Sequence, residues 1–250
     1  MYSSIKTIKS TAKEQLLSHM WTAVLFTLFY LLITNLCTFC LAFSPSSGNV
    51  FSFLFYEMNI LLINLFSGLL QTGIAAFYLN LFTERQHCTF SDLFHAFSHG
   101  PDKTLKVTLV LSLINTVCTL PYAIYSLFFM PEFTMEQLFS FDYDALKYML
   151  FAYTLLTLGE LIYFFISLNF APVYFMLVDM PNLSAAKALK MSSWLMKGSK
   201  LRLLGLELSF LPLQFVSLLT FGIGNLWIIP YKNTAAASFY VDLSQKRTNQ

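Results

Sequence analysis

Six long apolar stretches, separated by short polar segments, organise this chain from end to end. A membrane-crossing helix needs about 20 apolar residues to traverse roughly 30 Å of hydrocarbon. The pattern therefore predicts spans near residues 20–43, 59–82, 105–129, 147–178, 201–221 and 223–243. Ahead of the first span, Ile5, Ile8, Ala12 and Leu16 recur at helical spacing, with Lys6, Lys9 and Lys13 along another face. That periodicity predicts a basic amphipathic helix over residues 1–18, lying on the membrane surface. The run from Trp21 to Phe43 is too long for the apolar part of a signal peptide, and Ser44-Pro45-Ser46-Ser47-Gly48 reads as a turn, so no cleavable leader is expected.

Composition sharpens this picture. Of 250 residues, 56% are hydrophobic and 11% charged, with 27 Phe, more apolar surface than a soluble core can hide. The expected fold class is all-α, a polytopic membrane protein whose single six-helix domain takes up residues 1–250. Charge then sets the orientation. Lys6, Lys9 and Lys13 precede the first span, Arg85, Lys103 and Lys106 follow the second, and Lys187, Lys190, Lys197, Lys200 and Arg202 follow the fourth. Lys246 and Arg247 come after the sixth, whereas the opposite segments hold Lys147 against Glu57, Glu132, Glu136, Asp142 and Asp144. By the positive-inside rule both termini are expected in the cytoplasm. The net charge of +2 is explained by topology and by anionic headgroups, so no nucleic-acid partner is expected.

Two cytoplasmic loops carry helical patterns of their own. Phe90, Leu93, Phe94 and Phe97 share one face of a short interfacial helix that Gly100-Pro101 stops, with Asp92, His95 and His99 opposite. Those three polar residues, with His87 and Cys88 nearby, have spacing that suits metal ligands. The reading adopted is that they face water and that no metal is bound. In the later loop, Ser184 is the expected N-cap and Gly198 the expected stop of a second surface helix. On it Lys187, Lys190 and Lys197 cluster around Trp194, a pattern suited to anionic headgroups or a partner protein. The acidic segment 130–146 reads as a solvated outer loop. Cys37, Cys40, Cys88 and Cys118 form no disulfide framework, and Cys37-Thr38-Phe39-Cys40 lacks the context of a redox motif.

Charged side chains within hydrocarbon cost about 2.5–3.5 kcal/mol each on insertion scales, which singles out Glu160, Glu207 and Lys232. At 1.5 Å per residue, Glu160 lies about 20 Å below the outer boundary and Glu207 about 8 Å above the inner one, depths that coincide, and Lys232 about 14 Å down the sixth span reaches toward them. Depth matching predicts a buried cluster in which Lys232 pairs with one or both carboxylates. Polar stripes such as Asn64, Ser67, Gln71 and Tyr78 are read as interhelical hydrogen bonds before they are read as a cavity. Pro121, Pro172, Pro212 and Pro230 interrupt spans and free carbonyls that need partners.

Several local patterns together resemble a known family. Phe90-Ser91-Asp92-Leu93-Phe94, Asp179-Met180-Pro181 and Leu195-Met196-Lys197-Gly198 are similar to segments of the bacterial membrane family catalogued as domain of unknown function 975. The most specific match is Leu219-Thr220-Phe221-Gly222-Ile223-Gly224, followed by Leu226-Trp227, Pro230-Tyr231 and Phe239-Tyr240. The resemblance spans nearly the whole chain. It implies a six-helix protein of the bacterial cytoplasmic membrane, related in architecture to the membrane domain of some glycerophosphodiester phosphodiesterases, whose catalytic domain is absent. It implies no activity.

The chain contains no H-E-x-x-H, P-loop, nucleotide-binding glycine pattern or Gly-x-Ser-x-Gly nucleophile elbow. Neither an enzyme nor a cofactor is expected. The expected role is that of a non-enzymatic accessory or binding component engaging lipid or another membrane protein. The alternative is a small-solute or lipid transporter centred on Glu160, Glu207 and Lys232.

Overall fold

The structure, a computed structural model, describes residues 3–41, 50–83, 89–129 and 143–248. Among these residues every regular element is helical. The elements are α1 (Ile5–Ser18), α2 (Met20–Leu41), α3 (Val50–Thr83), a 3-10 turn at Phe90–Phe94 running into α4 (His95–Ser98), α5 (Pro101–Phe128) and α6 (Tyr143–Ser167). They continue with α7 (Val173–Asp179), α8 (Ala185–Met196), α9 (Lys200–Leu208), α10 (Leu211–Leu219) and α11 (Asn225–Thr248). Among the described residues five segments are long and apolar enough to cross a membrane: Met20–Phe39, Phe53–Thr83, Pro101–Phe128, Tyr143–Ser167 and Lys200–Leu219. The expected sixth span, within α11, is not among them, because Lys232, Asn233, Asp242 and Lys246 dilute its apolar residues.

Three boundaries differ from the apolar pattern, two of them beside a proline. α3 begins at Val50, ahead of the expected 59. The stretch 147–178 is broken after Ser167 and resumes at Val173, with Pro172 at the N-cap of α7, where a proline lacks the N–H to continue the ladder. The stretch 201–221 is broken at Ser209 and Phe210, just ahead of Pro212 in the first turn of α10.

Two compact units interleave along the chain. The first comprises Met1–Leu36, Phe66–Val107 and Leu168–Gln250, and the second Cys37–Leu65 and Thr108–Ser167. In the second unit α6 lies against α5 through Gly159, where a Cβ would stand 2.6 Å from the Cys118 carbonyl oxygen. Tyr125 and Phe151 meet edge to face at 4.8 Å.

The first unit holds most of the packing and corrects the expected place of α1. Its apolar face does not lie on lipid. Ile8 and Ala12 are buried in one core with Leu203, Leu206, Phe210, Ala235 and Phe239, and Leu16 in a neighbouring core with Phe26, Phe77 and Tyr78. Ser4 caps the helix by accepting the Thr7 N–H at 3.1 Å. α1 runs parallel to α9 and antiparallel to α11, since Ser3 meets Arg202 and Asp242 while Lys9 meets Ser209 and Tyr231.

The loop of phenylalanines is also turned differently from its helical wheel. Leu93 and Ala96 are fully buried, while Phe90, Phe94 and Phe97 remain exposed. The Leu93 backbone is seated directly on α3. Gly73 in α3 makes room for this approach, because any Cβ there would overlap the Leu93 backbone.

Candidate functional site

A group of polar side chains in the first unit gathers where α1, α9 and α11 meet. Lys232 Nζ lies 2.6 Å from Glu207 Oε2, with both side chains about one-third exposed (34% and 29%). These two of the three predicted cluster residues are brought together. Glu160 lies in the second unit, exposed on α6.

The Lys9 ammonium turns inward and donates to the carbonyl of Ser209, two residues beyond Glu207, at 3.1 Å and to the Ser209 hydroxyl at 3.2 Å. The position follows from the helix break. With Pro212 in the first turn of α10, the ladder is interrupted and the Ser209 carbonyl takes a side-chain donor. Aromatic faces complete the setting, with Phe210 4.3 Å and Tyr231 5.8 Å from Lys9 Nζ, and the Tyr231 hydroxyl donates to the Lys9 carbonyl at 3.2 Å. Burial pushes the Lys9 pKa down from the usual lysine range.

A second polar group anchors the start of α1. Arg202 Nη2 donates to Asp242 Oδ2 at 2.6 Å and to the Ser3 carbonyl at 2.7 Å. Ser3 Oγ and Lys246 Nζ donate to Asp242 Oδ1 at 2.6 and 2.9 Å. Burial by itself would push the Asp242 carboxyl up, but the hydrogen bonds from Ser3, Lys246 and Arg202, with the Arg202 charge, outweigh it and hold the pKa at about 2. None of Ser3, Ser209, Tyr231 or Asp242 stands out from the apolar pattern. The only sequence signals are Pro212, which marks the break, and the Pro230-Tyr231 pair.

α8 presents a different kind of site. Ala188, Ser192, Leu195 and Met196 are buried against the first unit, while Lys187, Lys190, Trp194 and Lys197 are all exposed on the other side. Ser184 occupies the N-cap position with extended backbone but makes no side-chain cap hydrogen bond, and Gly198 at φ +83° ends the helix as expected. The helix lies on protein through its apolar side, so its basic stripe is held outward.

The weak metal candidates have other roles. Asp92 accepts the Thr89 N–H at 3.1 Å and forms a capping box with that residue. The His95 and His99 rings lie 4.5 Å apart. Burial, and then the neighbouring His99, push His95 down, against the pull of Asp92. Among the described residues no group of three or more His, Cys, Asp or Glu is placed to hold a metal ion; His87 and Cys88 lie outside them. So does most of the acidic segment 130–146, and Cys37 and Cys118 are free thiols.

The segments that carried the family resemblance do structural work in the first unit. Tyr240 stacks on Phe175 at 5.5 Å and donates to Asp179 at 3.0 Å. Lys103 donates to the Pro181 carbonyl, and Met196 shares a core with Phe239 and Tyr240. Leu219–Gly224 closes α10. The Gly222 N–H reaches the Ser217 carbonyl at 2.9 Å and the Phe221 N–H reaches that of Leu218 at 3.2 Å, a Schellman pattern. Gly222 has φ +87°, and a Cβ on Gly224 would stand 3.0 Å from Ser217 Cα.

A family model described as Protein of unknown function (DUF975) matches residues 1–247. Comparison with curated proteins and with solved structures finds no match to either.

Proposed function

The chain belongs to the DUF975 family, a membership that assigns no activity, and from its own geometry we propose that it is a non-enzymatic accessory or binding component of the bacterial cytoplasmic membrane. Its termini face the cytoplasm, and its basic α8 stripe engages anionic lipid headgroups. The observation that carries this reading is the two-sidedness of α8. Four apolar or small residues are packed into protein while Lys187, Lys190, Trp194 and Lys197 stay exposed. An ammonium near an anionic surface gains about 1 kcal/mol, and tryptophan prefers the interfacial layer.

The test compares the affinity of the purified protein for phosphatidylglycerol and phosphatidylcholine. Replacing Lys187, Lys190 and Lys197 by Gln is expected to weaken phosphatidylglycerol binding about a hundredfold, from roughly 1 kcal/mol per lysine, without changing the melting temperature. Equal affinity for the two lipids, or an unaltered preference in the triple variant, would overturn the reading.

A second reading, a small-solute or lipid transporter, is favoured by the Lys232–Glu207 pair. It requires Glu207→Gln and Glu160→Gln to abolish flux in proteoliposomes while insertion is retained. The accessory reading expects a loss of stability or no effect.

A further inference from the structure

We propose that α10, the following turn and the start of α11 form a re-entrant hairpin, which enters the hydrocarbon from the cytoplasmic side and turns back near the bilayer midplane. The partner of its apolar tip is the lipid interior. This goes beyond the binding role of α8 and is independent of which lipid that stripe takes.

The charged face of α1 fixes where water must reach. α1 lies alongside α9 and the C-terminal half of α11, with Ile5 at Gly205 and Lys9 at Ser209. Its outward face carries Lys6, Ser10, Lys13 and Glu14, all exposed. If Lys200–Leu219 crossed the bilayer, this charged face would line the hydrocarbon beside it, at about 2.5–3.5 kcal/mol per charge. Because α1 continues for nine residues beyond Lys9, about two and a half turns, with Lys13 and Glu14 exposed, the aqueous or headgroup layer extends at least to the level of Ser209 and Tyr231. The Glu207–Lys232 and Arg202–Asp242 pairs then lie in that layer.

The uncharged stretch is also too short for two crossings. From Leu208 to Tyr231 the chain has 24 residues without a charge. Two full crossings need about 40 apolar residues. The nine residues of α10 rise about 14 Å, close to half of the roughly 30 Å core.

The tip itself is apolar. A turn that emerges on the far side meets water, yet this one presents Leu218, Leu219, Phe221 and Ile223, with Phe221 98% exposed. Phe221 also adopts φ +50°, a conformation that disfavours side chains larger than glycine. A fully exposed phenylalanine held in that conformation is matched to hydrocarbon. Parity is kept, because α2, α3, α5 and α6 make four crossings and return the chain to the side where it began.

The test uses the full-length chain with Cys37, Cys40, Cys88 and Cys118 replaced by Ala and single cysteines at Phe221, Ile223 or Lys13. In intact cells, a membrane-impermeant maleimide is expected to leave Phe221→Cys and Ile223→Cys unlabelled until detergent is added. In proteoliposomes, a spin label at either tip site should collide with oxygen and not with a water-soluble nickel chelate. A label at Lys13→Cys should collide with the chelate. Ile223→Cys keeps the test decisive if Phe221→Cys misfolds. External labelling of the tip, or a Lys13 label shielded from the chelate, would overturn the hairpin.

Discussion

Asp242 shows how a single carboxylate fastens the N-terminus to the C-terminal helix. It accepts from Ser3, Arg202 and Lys246, and an uncharged Asn leaves Arg202 with a weaker acceptor. Asp242→Asn is expected to destabilise the fold by about 1–2 kcal/mol, read as a lower melting temperature. Because its pKa is depressed to about 2, the contribution is complete above the ordinary carboxylate range and is lost as pH falls toward about 2. A wild-type advantage over Asp242→Asn that grows on acidification would contradict this assignment. Lys9 is the second fastening. Lys9→Met keeps the aliphatic stem but removes the donor to Ser209, at an expected cost of about 1–2 kcal/mol. At the hairpin tip, Phe221→Gly relieves a left-handed conformation costing roughly 1–2 kcal/mol and is expected to hold or raise the melting temperature, whereas Phe221→Val lowers it. The reverse order would remove strain as the explanation. None of these roles is readable from residue type, since Lys9 looks like any lysine on the wet side of an amphipathic helix.

Among the elements, the apolar runs of α2, α3, α5 and α6 were legible because about 20 consecutive apolar residues have few structural alternatives. Their ends were less so. A span and a core-buried helix have the same composition, so apolar run length alone could not separate the breaks at Ser167 and Ser209 from continuous helices. Pro172 and Pro212 marked both. The loop after α3 was legible as helical with its phenylalanines outward, but not in the burial of Leu93, because the seat of Leu93 on Gly73 is a contact between segments and not a property of local spacing. Gly73→Ala tests that docking. A methyl group there overlaps the Leu93 backbone, and overpacking of this kind costs about 1–3 kcal/mol. The expected outcome is a lower melting temperature with faster proteolysis after Thr89. A variant as stable as wild type would mean that the loop is not seated on α3.

For the whole molecule, the decisive association is that of α1 with α9 and α11. Deleting residues 1–18 exposes the core around Leu203, Leu206, Phe210 and Phe239 and is expected to yield aggregated protein in size-exclusion chromatography. A surface-lying helix, by contrast, could be removed with little effect. The sequence by itself determined the apolar helices long enough to cross a membrane, the uneven spacing of basic residues and the residue types of the α8 stripe, because hydropathy and charge act through composition and short-range periodicity. It also brought Glu207 and Lys232 to comparable depth by counting along helices. Only the tertiary structure decided that α1 buries its apolar face in protein, that Lys9 serves the broken helix at Ser209, and that the charged ends of α1, α9 and α11 gather together. An amphipathic face states only that something apolar will cover it. Whether lipid or protein does so depends on which surface elsewhere in the chain has the matching shape, and that is fixed by contacts between residues some 200 positions apart in sequence.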